Sequence, residues 1–180
     1  MKLREEKLSN GHTWWRIANS AWRNPLDPQF AAQRGGRWNS PGGRPTLYLN
    51  EDLVTARLNL RLFIAQWPYE PEDLRSDTGP HLVGAQLPRN QVVADVHTRV
   101  GLAQAGLHQN YPHDLNGEVV AHEVCQAIGE VTKSAGLRGV RARSAQSRDG
   151  VARELAWFPA GERSRAKHIN TLKFEKWYWG

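Results

Sequence analysis

Segments with a two-residue apolar period and segments with a helical period follow one another along this chain in no regular order. That irregularity limits the folds open to it, because a doubly wound parallel sheet needs strands and helices in strict alternation. Residues 12–18 (HTWWRIA) and 46–49 (TLYL) read as strands, being rich in aromatic and β-branched side chains. A helix is expected over about 51–66, with Asn50 as its N-cap and Glu51 and Asp52 in the first turn, where the helix dipole favours acids. Leu53, Ala56, Leu60, Phe63 and Ile64 recur at helical spacing and mark its buried stripe; Pro68 and Pro71 end it. Residues 81–87 alternate Val83, Ala85 and Leu87 and read as a strand; 91–96 read as another, and 98–105 as a short helix. A longer helix is expected over 116–136, with Val120, Val124, Ala127, Ile128 and Val131 on one face and Gly136 as its C-cap. Residues 138–144, 154–159 and 168–177 read as final strands. The expected class is α+β: a single compact domain over 1–180, with a central, mostly antiparallel or split β-sheet flanked by helices.

Composition narrows the chemistry. Hydrophobic residues are 39% of the chain and charged residues 23%, but eight Trp, four Tyr and four Phe supply the core of a globular protein. The single cysteine, Cys125, excludes an intramolecular disulfide and a multi-cysteine zinc site, and it reads as a small packed thiol. None of the seven histidines stands at a zinc-binding spacing: His122-Glu123 lacks a second histidine four residues on, so no metal is expected. No apolar run approaches the ~18 residues of a membrane span. The opening MKLREEKLSNGH lacks the apolar core of a secretory signal, which leads to the expectation of a cytoplasmic protein. A net charge of +6 suits an anionic partner, whether nucleic acid, phosphorylated metabolite or acidic protein. Arg138, Arg141, Arg143 and Arg148 form one mild basic cluster and Arg163, Arg165 and Lys167 another; both fit a solvated surface, and nucleic acid is not the expected partner.

The stretch 24–45 is rich in Pro, Asp and Gly and holds two glycine pairs. Loops of that length inside a domain are often functional. Its GGRWNSPGG has neither the lysine of a P-loop nor a GxGxxG turn. What stands out is a combination: Trp15-Arg16-Ile17-Ala18 at the end of the first strand, Arg37 within the glycine-rich loop, Tyr48 in Leu47-Tyr48-Leu49-Asn50 leading into a helix, then Arg143-Ser144-Ala145 and Glu154-Leu155-Ala156-Trp157-Phe158-Pro159.

In this order the segments RIA, GGRWNSPG, LYLNEDLVTA, CQAIGE and RSA resemble the RES domain family over about residues 14–159. The resemblance implies an ADP-ribosyltransferase-like fold and a toxin of a toxin–antitoxin pair, with an Xre-type antitoxin as a possible partner. It also implies NAD+ as substrate, consumed by hydrolysis, by phosphorolysis or by transfer of ADP-ribose to a protein. Arg16 and Arg37 match the two arginines that hold the pyrophosphate, a role suited to guanidinium groups because they bind phosphate oxygens bidentately and stay charged. Tyr48 matches the tyrosine that packs on nicotinamide or its ribose, and Ser144 a serine in polar contact with them. The structural alternative is an Arg37 stacked on Trp38 and a Tyr48 that merely ends a strand.

One position departs from the pattern. The family's glutamate is expected in an Ala-x-x-Glu pattern on the helix after the tyrosine; here Ala56-Arg57-Leu58-Asn59 puts Asn59 there. An amide keeps a hydrogen bond to a ribose hydroxyl but cannot oppose the positive charge that grows on the ribose as nicotinamide leaves. Losing such help typically costs on the order of 10²–10⁴ in rate. Glu51, Asp52 and Glu123 are the candidate substitutes. The expected function is therefore NAD+ cleavage through Arg37, Tyr48, Asn59 and Ser144. The alternatives are a catalytically weak or inactive NAD+-binding or nucleotide-binding module and a basic nucleic-acid-binding protein. Arg16, Arg37, Tyr48 and Ser144 are expected to converge on one concave site, with Asn59 turned toward the Arg37 loop.

Overall fold

The computed structural model describes residues 2–66, 68, 70–147 and 150–180. The strands are β1 (Glu5–Lys7), β2 (Thr13–Ala18), β3 (Leu47–Asn50), β4 (His81–Gln86), β5 (Val92–Val96), β6 (Gly139–Arg143), β7 (Arg153–Trp157) and β8 (Lys167–Leu172). They form one eight-stranded sheet in the order β1-β5-β6-β7-β3-β2-β4-β8. Every neighbouring pair is antiparallel except β5 and β6. The helices among the described residues are α1 (Gln29–Arg34), α2 (Leu53–Ile64), α3 (Arg99–Gln104), α4 (His122–Ser134) and α5 (Phe174–Tyr178). The class is α+β with a mostly antiparallel sheet, and none of these helices is long and apolar enough to cross a membrane.

Residues paired across a sheet share a face, and successive residues alternate. Trp14, Leu47, Leu49, Val83, Ala85, Val93, Leu155 and Trp157 therefore point one way, and they pack under loop residues Leu8, Trp22, Leu26 and Ala166. The other face carries the helices. At one end Ala94, Val96, Val140, Ala142 and Ala156 meet Leu102 of α3, Ile128 of α4, Trp38 and Tyr111. At the other end Trp15, Ile17 and Leu82 meet Ala56, Leu60 and Ile64 of α2 and Phe174 and Trp177 of α5. Between these two cores the sheet is thinly joined. β2 pairs with β4 along its whole length but with β3 only at Trp15↔Asn50.

Several elements differ from expectation for local reasons. Asn50 is held in the ladder as the last residue of β3, so it does not cap α2; the Asp52 carboxylate accepts from the Thr55 amide at 2.7 Å instead. Helix α2 accordingly starts two residues late. Ala56, Leu60 and Ile64 are buried as the stripe requires, while the side chain of Phe63 and all of Arg148 lie outside the described residues. Helix α4 starts at His122 because the chain before it turns at Gly117 (φ 81°) and forms a bridge between His113 and Val119. Its buried face is Cys125, Ile128, Gly129 and Thr132, one position round from the expected stripe; Val124 and Ala127 are exposed. The long loop holds α1, the charged β1 joins the sheet edge beside β5, and the last expected strand divides into β8 and α5. Phe174 and Trp177, three apart, are buried together, as helical spacing allows and strand alternation does not.

The seat of α4 needs a glycine. A Cβ at Gly129 would lie 2.0 Å from the Trp38 carbonyl oxygen, so helix and loop backbones touch there. Gly129→Ala should destabilise the protein by about 1–3 kcal/mol, the usual cost of overpacking. Urea unfolding measures this, and an unchanged midpoint would contradict the contact.

Candidate functional site

The thin join between the two cores, on the helix-covered face, is where the polar residues gather. Ser144 follows β6 and is fully buried. Its hydroxyl donates to Asn59 Oδ1 on α2 at 2.7 Å. Asn59 Nδ2 donates to Asn50 Oδ1 at 2.6 Å, and Asn50 Nδ2 donates to the Trp15 carbonyl at 3.0 Å. This relay spans the gap between β6, α2, β3 and β2 and fixes the amide of Asn59.

Glu154 stands in the middle. Its register partners are Asn50 on β3 and Ala142 on β6, so it points to the same face as both. Burial raises its pKa from the usual 4.5 to about 7, against the Arg37 guanidinium, the Trp38 indole and the Asn59 amide, which all favour its charged form. The indole of the buried Trp38 is turned to this carboxylate, while the buried Thr55 Oγ1, one helical turn before Asn59, has no hydrogen-bond partner among the described residues. Buried polar groups are nearly always paired. Trp38, Asn59 and Arg37 thus surround one buried carboxylate.

Arg37 lies across from α2, held by the loop that carries it. Its Nη1 donates to the Val120 carbonyl at 3.0 Å and approaches Cys125 Sγ at 3.8 Å. Burial acts to lower its pKa, but Tyr111, Cys125 and Glu154 outweigh that and leave it raised. Tyr48 braces the loop from below. Its hydroxyl donates to Asn39 Oδ1 at 2.7 Å and accepts from the Trp38 amide at 2.8 Å, and burial raises its pKa. A Cβ at Gly36 would fall 2.5 Å from that hydroxyl. Cys125 is fully buried and burial raises its pKa, so it is a packed thiol rather than a nucleophile.

The structure thus brings Arg37, Tyr48, Asn59 and Ser144 to one region, with Asn59 turned toward the carboxylate that Arg37 faces. It does not bring Arg16 there. Trp15 shares a face with its partner Asn50, so Arg16 projects from the opposite face. There its Nη1 donates to the Asp27 carbonyl at 2.9 Å and its guanidinium stacks 5.3 Å from the Trp22 ring. Burial lowers its pKa to about 10. Trp22 also lines a cavity of about 420 Å³ with Arg23, His81 and His168. The acids proposed to substitute for Asn59 are engaged or remote: Glu51 is paired with Arg141 at 2.6 Å, Asp52 caps α2, and Glu123 is exposed on α4.

Glu154 was not among those candidates. The available signal is an acid directly before the apolar run Leu155 to Phe158, at the head of the expected strand 154–159; β7 itself begins one residue earlier, at Arg153. For a metal, the described residues offer Glu6, Asp95 and His97, whose ligand atoms lie within 4.8 Å of one another. All three already serve an ion-pair network: His97 meets Glu6 at 2.8 Å, Arg141 pairs with Glu6, and Arg4 approaches Asp95 at 3.4 Å.

The family described as RES domain matches residues 13–176. No curated protein matches the sequence. Among solved structures, a chain of the crystal structure of the M. tuberculosis MbcT-MbcA toxin-antitoxin complex is similar, with a TM-score of 0.74 and 19% identity over 97% of this chain and 92% of that one. At that identity the likeness is one of fold.

An acid whose folded pKa lies above its unfolded value contributes stability that is whole below about pH 4.5 and is lost as pH rises through about 7. Glu154→Gln, which cannot ionise, should therefore gain on the wild type by up to about 3 kcal/mol between pH 5 and pH 8. Urea unfolding at the two pH values checks it; a difference that stays constant would contradict the buried carboxylate.

Proposed function

The chain belongs to the RES domain family, and from that premise we propose that it is the toxin of a toxin–antitoxin pair that binds NAD+ and cleaves its nicotinamide–ribose bond. The observation that supports this best is the meeting of Arg37, Glu154 and the Ser144–Asn59 pair in one buried region. A dinucleotide is rich in oxygens that such groups bind. Arg37 suits the pyrophosphate, because a guanidinium recognises phosphate oxygens and keeps its charge. Ser144 and Asn59 suit ribose hydroxyls or the nicotinamide amide. Tyr48, whose hydroxyl is committed to the Arg37 loop, acts here by holding that loop in place. With Arg16 on the far face, the pyrophosphate relies on Arg37.

In the cleavage, the bond from ribose C1′ to the nicotinamide nitrogen breaks heterolytically. The electron pair leaves with nicotinamide and neutralises its pyridinium charge, while positive charge grows on the ribose. The acceptor is water, phosphate or a protein side chain. An antitoxin is the expected protein partner, of Xre type by the family resemblance, and the cytoplasm is the compartment where NAD+ is met. Asn59 gives a second reading some support: with a neutral amide on α2, the chain would bind NAD+ without turning it over.

Thermal shift and nicotinamide release together test these readings. NAD+ should raise the Tm, since a ligand bound only by the folded state stabilises it by about 2.7 kcal/mol at a hundred times Kd. Arg37→Ala should remove most of that shift, and the wild type should release nicotinamide above buffer. A shift without release favours the binding module. No shift at millimolar NAD+ rejects the site.

A further inference from the structure

We infer that Glu154 is the catalytic carboxylate of this chain, supplied from strand β7 to the place where helix α2 carries only the neutral Asn59. The inference rests on the NAD+-cleaving reading and names the group that reading lacks.

The two side chains come from different elements but meet. Asn59 reaches down from α2 and Glu154 up from β7, and the Asn59 amide favours the charged form of the Glu154 carboxylate. The hydrogen bonds of Asn59 fix which end does so. Its Oδ1 accepts from Ser144 and its Nδ2 gives one proton to Asn50, leaving the second Nδ2 proton free to face an acceptor. A glutamate at position 59 would bring a second carboxylate up to Glu154, and two neighbouring carboxylates cannot both stay ionised near neutral pH. An amide on one element and an acid on the other is the arrangement that keeps one negative charge in the site.

The remaining surroundings of Glu154 suit a working group. Arg37 faces it, and the charge of Glu154 in turn helps to raise the pKa values of Tyr48, Tyr111 and Cys125 around it. No salt bridge to Glu154 occurs among the described residues, in contrast to Glu51 and Glu6, each closed onto Arg141. Its side chain is mostly buried yet not sealed. With substrate in place, the carboxylate accepts a hydrogen bond from a ribose hydroxyl and lies opposite the charge growing at C1′. In hydrolysis the C1′–nitrogen bond breaks with its electron pair going to nicotinamide. The water oxygen then bonds to C1′, and the proton it loses passes to Glu154 and on to solvent. ADP-ribose, nicotinamide and one proton are the products.

Five proteins test this: wild type, Glu154→Gln, Glu154→Asn, the exchange variant Asn59→Glu with Glu154→Asn, and Glu123→Gln as a control on an exposed acid. Each is assayed for nicotinamide release and for the Tm shift with NAD+, which also reports folding. Glu154→Gln should lose on the order of 10²–10⁴ in rate, the usual cost of removing acid–base or electrostatic help, and keep its NAD+-induced shift. The exchange variant should recover at least about tenfold over Glu154→Asn, because it returns a carboxylate from the helix side. Glu123→Gln should match the wild type. An active wild type with an equally active Glu154→Gln overturns this assignment and leaves NAD+ cleavage standing, as does an exchange variant no better than Glu154→Asn. A wild type that shifts with NAD+ but releases no nicotinamide overturns both.

Discussion

The site depends on one close contact, the Trp38 backbone lying directly on α4 at Gly129. That contact presses the loop between helix and sheet, and Tyr48 supports it from the other side through two hydrogen bonds to Trp38 and Asn39. Arg37 is therefore presented by backbone held at both ends, not by a free loop. Preorganisation of this kind is what lets a charged group act without reorganising when charge develops nearby. The opposite wall is α2, seated by Ala56, Leu60 and Ile64 in the second core. The polar relay from Ser144 to Trp15 runs across the gap between the two cores, where β2 and β3 barely pair.

Glu154 is the carboxylate that this arrangement pushes toward neutrality. Its surroundings take it from water, and the resulting penalty exceeds what Arg37, Trp38 and Asn59 return, so it titrates near neutrality. Buried charge is costly unless it is paired and hydrogen-bonded. A carboxylate kept in such a balance is easily tipped: a cationic group brought beside it favours the charged form. The same balance explains why Asn59 is neutral. With an acid at position 59 the amide would be gone, and two carboxylates would share one guanidinium.

Fold class was legible in the sequence because the irregular order of segments excludes strict alternation, and because most strands and both long helices carry clear apolar periods. Boundaries were less so. Asn50 has the chemistry of an N-cap, but its strand pairing with Glu154 outweighs that propensity. Val124 and Ala127 mark an apolar stripe one position from the face that α4 buries, because the close contact with the Trp38 backbone requires Gly129 to face inward, with Cys125 and Thr132 beside it. At the site, the expected set Arg37, Tyr48, Asn59 and Ser144 gathers, but Arg16 does not, since strand alternation turns it to the other face once Trp15 pairs with Asn50. Glu154 was hidden for a general reason. Glu51 and Asp52 are near Tyr48 along the chain and Glu123 lies on the other long helix, while the sheet brings the distant residues 50 and 154 side by side.

In the proposed reading the nucleotide sits over Glu154 between Arg37 and α2. A crystal structure of Glu154→Gln soaked or grown with NAD+ tests it most directly. The nicotinamide-bearing ribose should lie within hydrogen-bonding distance, about 3 Å, of residue 154 and Asn59, with the pyrophosphate on Arg37. A nucleotide found instead on the opposite face, in the cavity beside Trp22, His81 and His168 and near Arg16, would contradict it.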